Sequence, residues 1–326
     1  MNLVRRQFLR FAGTAAAVAA MPRAAWPQSY PARPVRVIVP FAPGGPTDLA
    51  ARLIAHRLTE HFGKQFYVEN IGGAGGNIGV GQAAKAAPDG QTILIAAASY
   101  AVNPSLFDSV PYNPHKDFTA VTFAATGSTA LTVHPSLPVR TVTELVTLIR
   151  ANPGKFSYAS PGPGTPPHLL GEMFRLAFRL DLVHVPFNGG GPAIASTLAG
   201  HTPISFGALP PAVQHVKDDK LRALAITSKG RSSALPDVPT MAEAGYPEIA
   251  ADIWTAVLVP AGTPGEIVTQ LYRAIVAIIA QPEIKERMAA LGYTPVGNPP
   301  DECDAEIRME IAKWAKVVRE TGIKVQ

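Results

Sequence analysis

Two octapeptides in this 326-residue chain are built alike. Val39-Pro40-Phe41-Ala42-Pro43-Gly44-Gly45-Pro46 and Val185-Pro186-Phe187-Asn188-Gly189-Gly190-Gly191-Pro192 both fit V-P-F-x-x-G-G-P. Each closes an apolar run of strand length and opens a helical pattern, with Asp48 and Ala193 just inside the helical starts. The chemistry such loops can do is anion capture: glycine lets backbone approach a ligand closely, and the unpaired N–H groups of a helix start favour negative charge. Two more loops follow the same logic. Ser160-Pro161-Gly162-Pro163-Gly164-Thr165 leads into a helix containing His168, with Thr165 as N-cap and Pro166 and Pro167 in the first two positions. Those prolines carry no N–H, so the donors there are Gly162, Gly164, Thr165 and the Ser160 hydroxyl. Gly72-Gly73-Ala74-Gly75-Gly76-Asn77 follows the run Phe66–Glu69. Any one of the four reads equally as an ordinary turn; together they predict a cleft lined by backbone donors, two loops from each side.

Side chains that could do other chemistry are sparse. Ser160, His168 and Asp48 are the makings of a hydrolytic triad, but no G-x-S-x-G elbow accompanies them. Gly79-Val80-Gly81-Gln82-Ala83-Ala84 fits G-x-G-x-x-A yet lies inside a helical pattern, and there is no GxxxxGK[ST] loop. His56 and His61 are five apart and do not share a helix face, which argues against a zinc site. The single cysteine, Cys303, excludes an intrachain disulfide and a cysteine-built metal site. We therefore expect no enzyme, no cofactor and no metal, with a hydrolase using Ser160 and His168 as the remote alternative. Three candidates also have structural readings. Asp48 in a first helical turn is stabilised by the macrodipole with or without a ligand; His168 can brace its loop; Phe41 can pack in the core.

The elements that must position these loops alternate. Strand-length apolar runs occur at Val35–Pro40, Phe66–Glu69, Thr92–Ala97, Phe118–Phe123 and Ala130–Val133. Others follow at Phe156–Ala159, Leu182–Val185, Ile204–Phe206 and Leu221–Ile226. Helical patterns at Asp48–Glu60, Gly79–Ala86, Val142–Ala151, Pro167–Phe178 and Pro192–Ala199 lie between them. Non-alternating strands interleaved with helices imply α/β architecture with largely parallel sheets covered on both faces. Three helical patterns close the chain, at Pro264–Ala280, Pro282–Leu291 and Asp301–Glu320, and the proline-rich stretch Arg231–Ala251 reads as an irregular connection.

The N-terminus reads as an export signal. A head with Arg5, Arg6 and Arg10 precedes a short alanine-rich apolar body, too short for a membrane span. Arg5-Arg6-Gln7-Phe8-Leu9-Arg10 resembles a twin-arginine signal, and cleavage is expected between Ala24 and Gln28. The chain's balance of +5 then shrinks to about +1, because Arg5, Arg6, Arg10 and Arg23 leave with residues 1–28 and no acid does. That charge gives no support for nucleic-acid binding. Some 300 remaining residues without a disulfide must rely on a sizeable core, and that length suggests two lobes.

From Tyr30 almost to the C-terminus the chain resembles the Bug, or TctC-like, periplasmic solute receptors of tripartite tricarboxylate transporters. The resemblance is carried by Pro34–Phe41 with Pro43-Gly44-Gly45 and Asp48, Val68-Glu69-Asn70, Pro88-Asp89-Gly90 and Asn103-Pro104. It continues through Ser160 to His168, Leu221–Ala225, Leu235-Pro236-Asp237-Val238-Pro239-Thr240 with Glu243, Gly245 and Tyr246, Pro260–Pro264 and Gly292-Tyr293. It implies a two-lobe periplasmic-binding-protein fold, type II-like, crossed twice by the chain. On that reading residues 29–125 and 250–326 form the first lobe, and 126–249 the second with the inter-lobe connection.

The resemblance also implies a monomeric periplasmic receptor closing on a small carboxylate. Its partners would be the membrane subunits of a transporter or, alternatively, a sensor protein. Carried over by position, first-lobe contacts are Phe41, Gly44, Gly45, Thr47 and Asp48, and Ser99, at the end of another strand, adds a hydroxyl. Second-lobe contacts are Ser160, Gly162, Gly164, Thr165, His168, Asn188 and Gly189. Two departures bear on the ligand: Gly207 stands where the family often has an acid, and Pro166-Pro167 removes two helix-start donors.

Overall fold

The computed structural model describes residues 30–323; the export-signal reading falls outside them. Strands β1 (Val35–Val39), β2 (Phe66–Asn70) and β3 (Thr92–Ala97) pair in parallel in the order β2-β1-β3. Their side chains alternate between two buried faces. Val35, Val37, Val39, Ile93 and Ile95 pack on one core, and Ile38, Leu94 and Ala96 on the other. Burial on both faces is why these runs look uniformly apolar in sequence. Helices α1 (Pro46–Phe62), α2 (Asn77–Ala84) and α3 (Ser99–Leu106) connect them and cover the sheet.

The segments Phe118–Phe123 and Ala130–Val133, expected as separate strands, belong to one 16-residue strand, β4 (Phe118–Val133). At about 3.3 Å per residue it spans some 50 Å, enough to run through both lobes. Up to Ser128 it pairs antiparallel with β9 (Asp252–Pro260); from Thr129 onward it pairs with β7 (Ile204–Ala208) and β8 (Arg222–Ile226). The second lobe is completed by β5 (Phe156–Ser160) and β6 (Leu182–Pro186), which make the parallel order β6-β5-β7. Parallel pairing thus holds within each outer set of three strands. It gives way to antiparallel pairing where each set meets β4 or β9.

Around the second sheet lie α4 (Val142–Ala151), α5 (Pro166–Ala177), α6 (Gly190–Leu198) and α7 (Leu209–Lys217). Thr141 and Glu144 form a reciprocal capping box at α4, the signature of a firmly started helix. The chain returns to the first lobe through residues 227–251, which hold only turns and one bridge between Ile226 and Thr240. It ends in α8 (Gly265–Ala280), α9 (Pro282–Ala290), the short β10 (Tyr293–Pro295) paired with β4, and α10 (Pro300–Thr321). Among the described residues no helix is long and apolar enough to cross a membrane.

Candidate functional site

The four glycine-bearing loops come together where the lobes meet. The amide of Ala42 donates to the carbonyl of Asn188 across the junction, at 3.1 Å, so the two V-P-F loops touch directly. The fit is close. A methyl group on Gly75 would lie 2.2 Å from the Pro163 carbonyl oxygen, and one on Gly189 would lie 3.0 Å from the Ala42 nitrogen. Gly189 is held at φ +130°, whereas Gly45 has an ordinary φ of −82° and is glycine for space alone, with the Gly190 nitrogen 3.3 Å from where a Cβ would sit.

Beside this contact lies a cleft of about 480 Å³. From the first lobe come Phe41, Thr47 at the second position of α1, and Ser99 at the first position of α3. The crossing strand β9 supplies Ile253, Trp254 and Thr255; the second lobe supplies Thr165–Pro167, Gly190 and Ala208. Ser99 therefore opens a helix that the sequence reading placed at a strand end. Among the described residues the hydroxyls of Thr47, Ser99 and Thr255 accept or donate no hydrogen bond, and none of the cleft-lining side chains is ionisable. The first amides of α1 and α3, and those of Gly190 and Gly191 at the start of α6, likewise have no intrahelical partner by the geometry of a helix start.

The donors expected from the Ser160–His168 loop are already engaged. Gly162 N–H reaches the Ser160 hydroxyl at 3.2 Å, and Gly164 N–H reaches Nδ1 of His168 at 3.3 Å. Thr165 N–H bonds the Gly162 carbonyl, and its hydroxyl bonds the same oxygen while accepting from His168 N–H. With four prolines in the segment, the amides of Gly162, Gly164, Thr165 and His168 all have internal partners. The loop is a rigid wall whose shape, more than its donors, meets the cleft.

His168 is correspondingly a brace. Its ring stacks on His184 at 4.3 Å, and His184 stacks in turn on Tyr158 at 4.8 Å. Burial lowers the His168 pKa to about 4, and burial reinforced by His168 lowers that of His184 to about 4, so both rings are neutral near pH 7. Ser160, fully buried, is paired with His184 Nε2 at 2.7 Å instead of with His168. Asp48 belongs to the other lobe and accepts from Gly44 N–H, Arg52 and Asn70. Its burial would raise the carboxyl, but those hydrogen bonds, Arg52 foremost, outweigh it and hold the group below its ordinary range. Asp48 thus shapes the Gly44–Thr47 turn, and the three residues of the imagined triad do not assemble.

Asn188 and the Gly73–Gly76 turn line a neighbouring cavity of about 530 Å³ that shares Phe41 and Pro161 with the cleft. Gly207 faces a smaller one of about 290 Å³, bordered by Gly190 and Ala208, which also border the cleft. Sequence reasoning missed the β9 contributors, although Ile253–Val259 is a strand-length apolar run. It also missed His184, Arg52 and Asn70, whose roles depend on long-range pairing. Among the described residues no group of His, Cys, Asp and Glu could hold a metal ion.

Two α/β lobes joined by crossing strands, with helix starts and hydroxyls facing a cleft between them, define a periplasmic-binding-protein fold. The model for the tripartite tricarboxylate transporter family receptor, TctC, matches residues 50–323, and the chain belongs to that family. It is 40% identical over 321 residues to Protein BugT of Bordetella pertussis, covering 98% of this chain and 96% of that one. Among solved structures it is similar to an R. palustris protein with adipate, at 34% identity and a TM-score of 0.87, over 90% of this chain and 99% of that one. It is also similar to MatC from Rhodopseudomonas palustris with bound malate, at 31% identity and a TM-score of 0.84, over 89% of this chain and 100% of that one. These relatives are solute-binding receptors and not enzymes, which removes the hydrolase alternative.

Proposed function

We propose that this protein is an exported, monomeric receptor that captures a small carboxylate between its lobes and presents it to the membrane subunits of a tripartite tricarboxylate-type transporter. The observation that carries the reading is the convergence of three helix starts on one cleft without a fixed counter-charge. Thr47 and Ser99 come from the first lobe and Gly190 from the second. Helix-start amides and free hydroxyls stabilise a carboxylate, and their dipoles favour it over a neutral isostere. The adipate and malate bound by two relatives agree with that chemistry. The family and the arginine-bearing N-terminal sequence support a periplasmic location. We divide the lobes at residues 125/126 and 249/250, next to the point where β4 exchanges partners between Ser128 and Thr129.

Titration calorimetry of the purified protein with paired compounds tests the reading: adipate against adipamide, and 3-phenylpropanoate against 3-phenylpropanamide. At least one acid should bind tenfold or more tighter than its amide. Equal affinity for acid and amide in both pairs would remove the anion from the recognition.

A further inference from the structure

Resting on the carboxylate reading above, we infer that the cleft selects a monocarboxylate with an apolar, uncharged body, and discriminates against dicarboxylates and amino acids. The free polar groups of the cleft lie around the starts of α1 and α3: a Cβ on Gly190 would sit 3.1 Å from Pro46, and Thr255 pairs with Ala97, two residues before Ser99. Thr47 and Ser99 stand at the starts of α1 and α3, and their hydroxyls are free to donate among the described residues. A second carboxylate would need a second set of donors, and the wall formed by Pro161 and Thr165–Pro167 does not have one. Pro166 and Pro167 have no amide hydrogen, and the amides of Gly162, Gly164, Thr165 and His168 are bonded within their own loop. A carboxylate left there would be desolvated without compensation, which is costly.

The rest of the wall is carbon. Phe41, Pro166, Pro167, Ala208, Ile253 and Trp254 line it. Trp254 contributes ring surface only, since its indole N–H is turned toward Glu310 on α10, at 3.5 Å. An α-ammonium group fares no better than a second carboxylate. No acidic side chain borders the cleft, and the closest in sequence to its wall, Asp48, has its oxygens taken by Gly44, Arg52 and Asn70.

The test is calorimetry of the full protein with three probes of similar length: 3-phenylpropanoate, L-phenylalanine and adipate. The first keeps one carboxylate on an apolar body, the second adds an ammonium, and the third replaces the apolar end with a second carboxylate. 3-Phenylpropanoate should bind at least tenfold tighter than either of the others, about 1.4 kcal/mol. Adipate or L-phenylalanine binding as tightly as 3-phenylpropanoate, or more tightly, overturns this selectivity while leaving a carboxylate receptor in place. If none of the three binds and no acid exceeds its amide, the carboxylate reading fails and the selectivity fails with it.

Discussion

Replacing Gly75 by alanine should wedge the lobes apart. Gly75 lies in the first-lobe turn after β2 at φ +63°, and its added methyl would meet the Pro163 carbonyl of the second lobe at 2.2 Å. Ordinary contact begins near 3.4 Å, so the lobes must separate there by about 1.2 Å. A backbone carbonyl cannot swing aside as a side-chain end can. Separation on that scale stretches the 3.1 Å bond from Ala42 to Asn188 beyond hydrogen-bonding range. Its loss costs the closed form about 0.5–1.5 kcal/mol, to which the lost dispersion contacts add. A ligand held by both lobes should then bind at least tenfold more weakly, since only differential affinity for the closed state draws the equilibrium toward it.

The left-handed backbone itself penalises alanine by roughly 1–2 kcal/mol, so a control must carry the same penalty without the clash. Gly63→Ala does: φ is +64° at the end of α1, and nothing lies within 4 Å of the new methyl. Both variants should lose similar thermal stability, but only Gly75→Ala should lose affinity for the tightest-binding carboxylate of the panel. Small-angle scattering should show it less compact at saturation. Equal affinities for the two variants would refute the argument that this contact governs closure.

Three further outcomes follow from the geometry and the leader. The neutral His168 and His184 rings, with pKa values lowered to about 4, bind fewer protons folded than unfolded below pH 6.5; stability should therefore fall as pH drops from about 6.5 toward 4. The melting temperature should show this loss before the carboxylates titrate, and a flat profile from pH 7 to 5 would contradict it. Asp48→Ala leaves the Gly44 amide without its acceptor and removes one of the two bonds donated by the Asn70 amide, which keeps the Phe41 carbonyl, and should cost about 1–3 kcal/mol in urea unfolding; a loss under about 0.5 kcal/mol would show that the turn holds without it. Changing Arg5 and Arg6 together to lysine should leave the precursor in the cytoplasm on fractionation, and an undiminished periplasmic yield would rule out the twin-arginine route.

The glycine loops, the strands flanking them and the family resemblance were legible in the residues themselves, because all three are local patterns. Strands buried on both faces show as apolar runs, and Thr165-Pro166-Pro167 marks a helix start whatever surrounds it. The sequence also determined that Pro166 and Pro167 could donate nothing. What it could not determine was which remaining amides stay free. Ser160 is tied up by His184, 24 residues away on the neighbouring strand, a pairing no local pattern encodes. The middle of β4, from Ala124 to Thr129, is small and partly polar and breaks the apolar signal, yet it is strand because β9 pairs with it. Only that tertiary pairing brings Ile253, Trp254 and Thr255 to the cleft, and with them the carbon surface that sets what the site can hold.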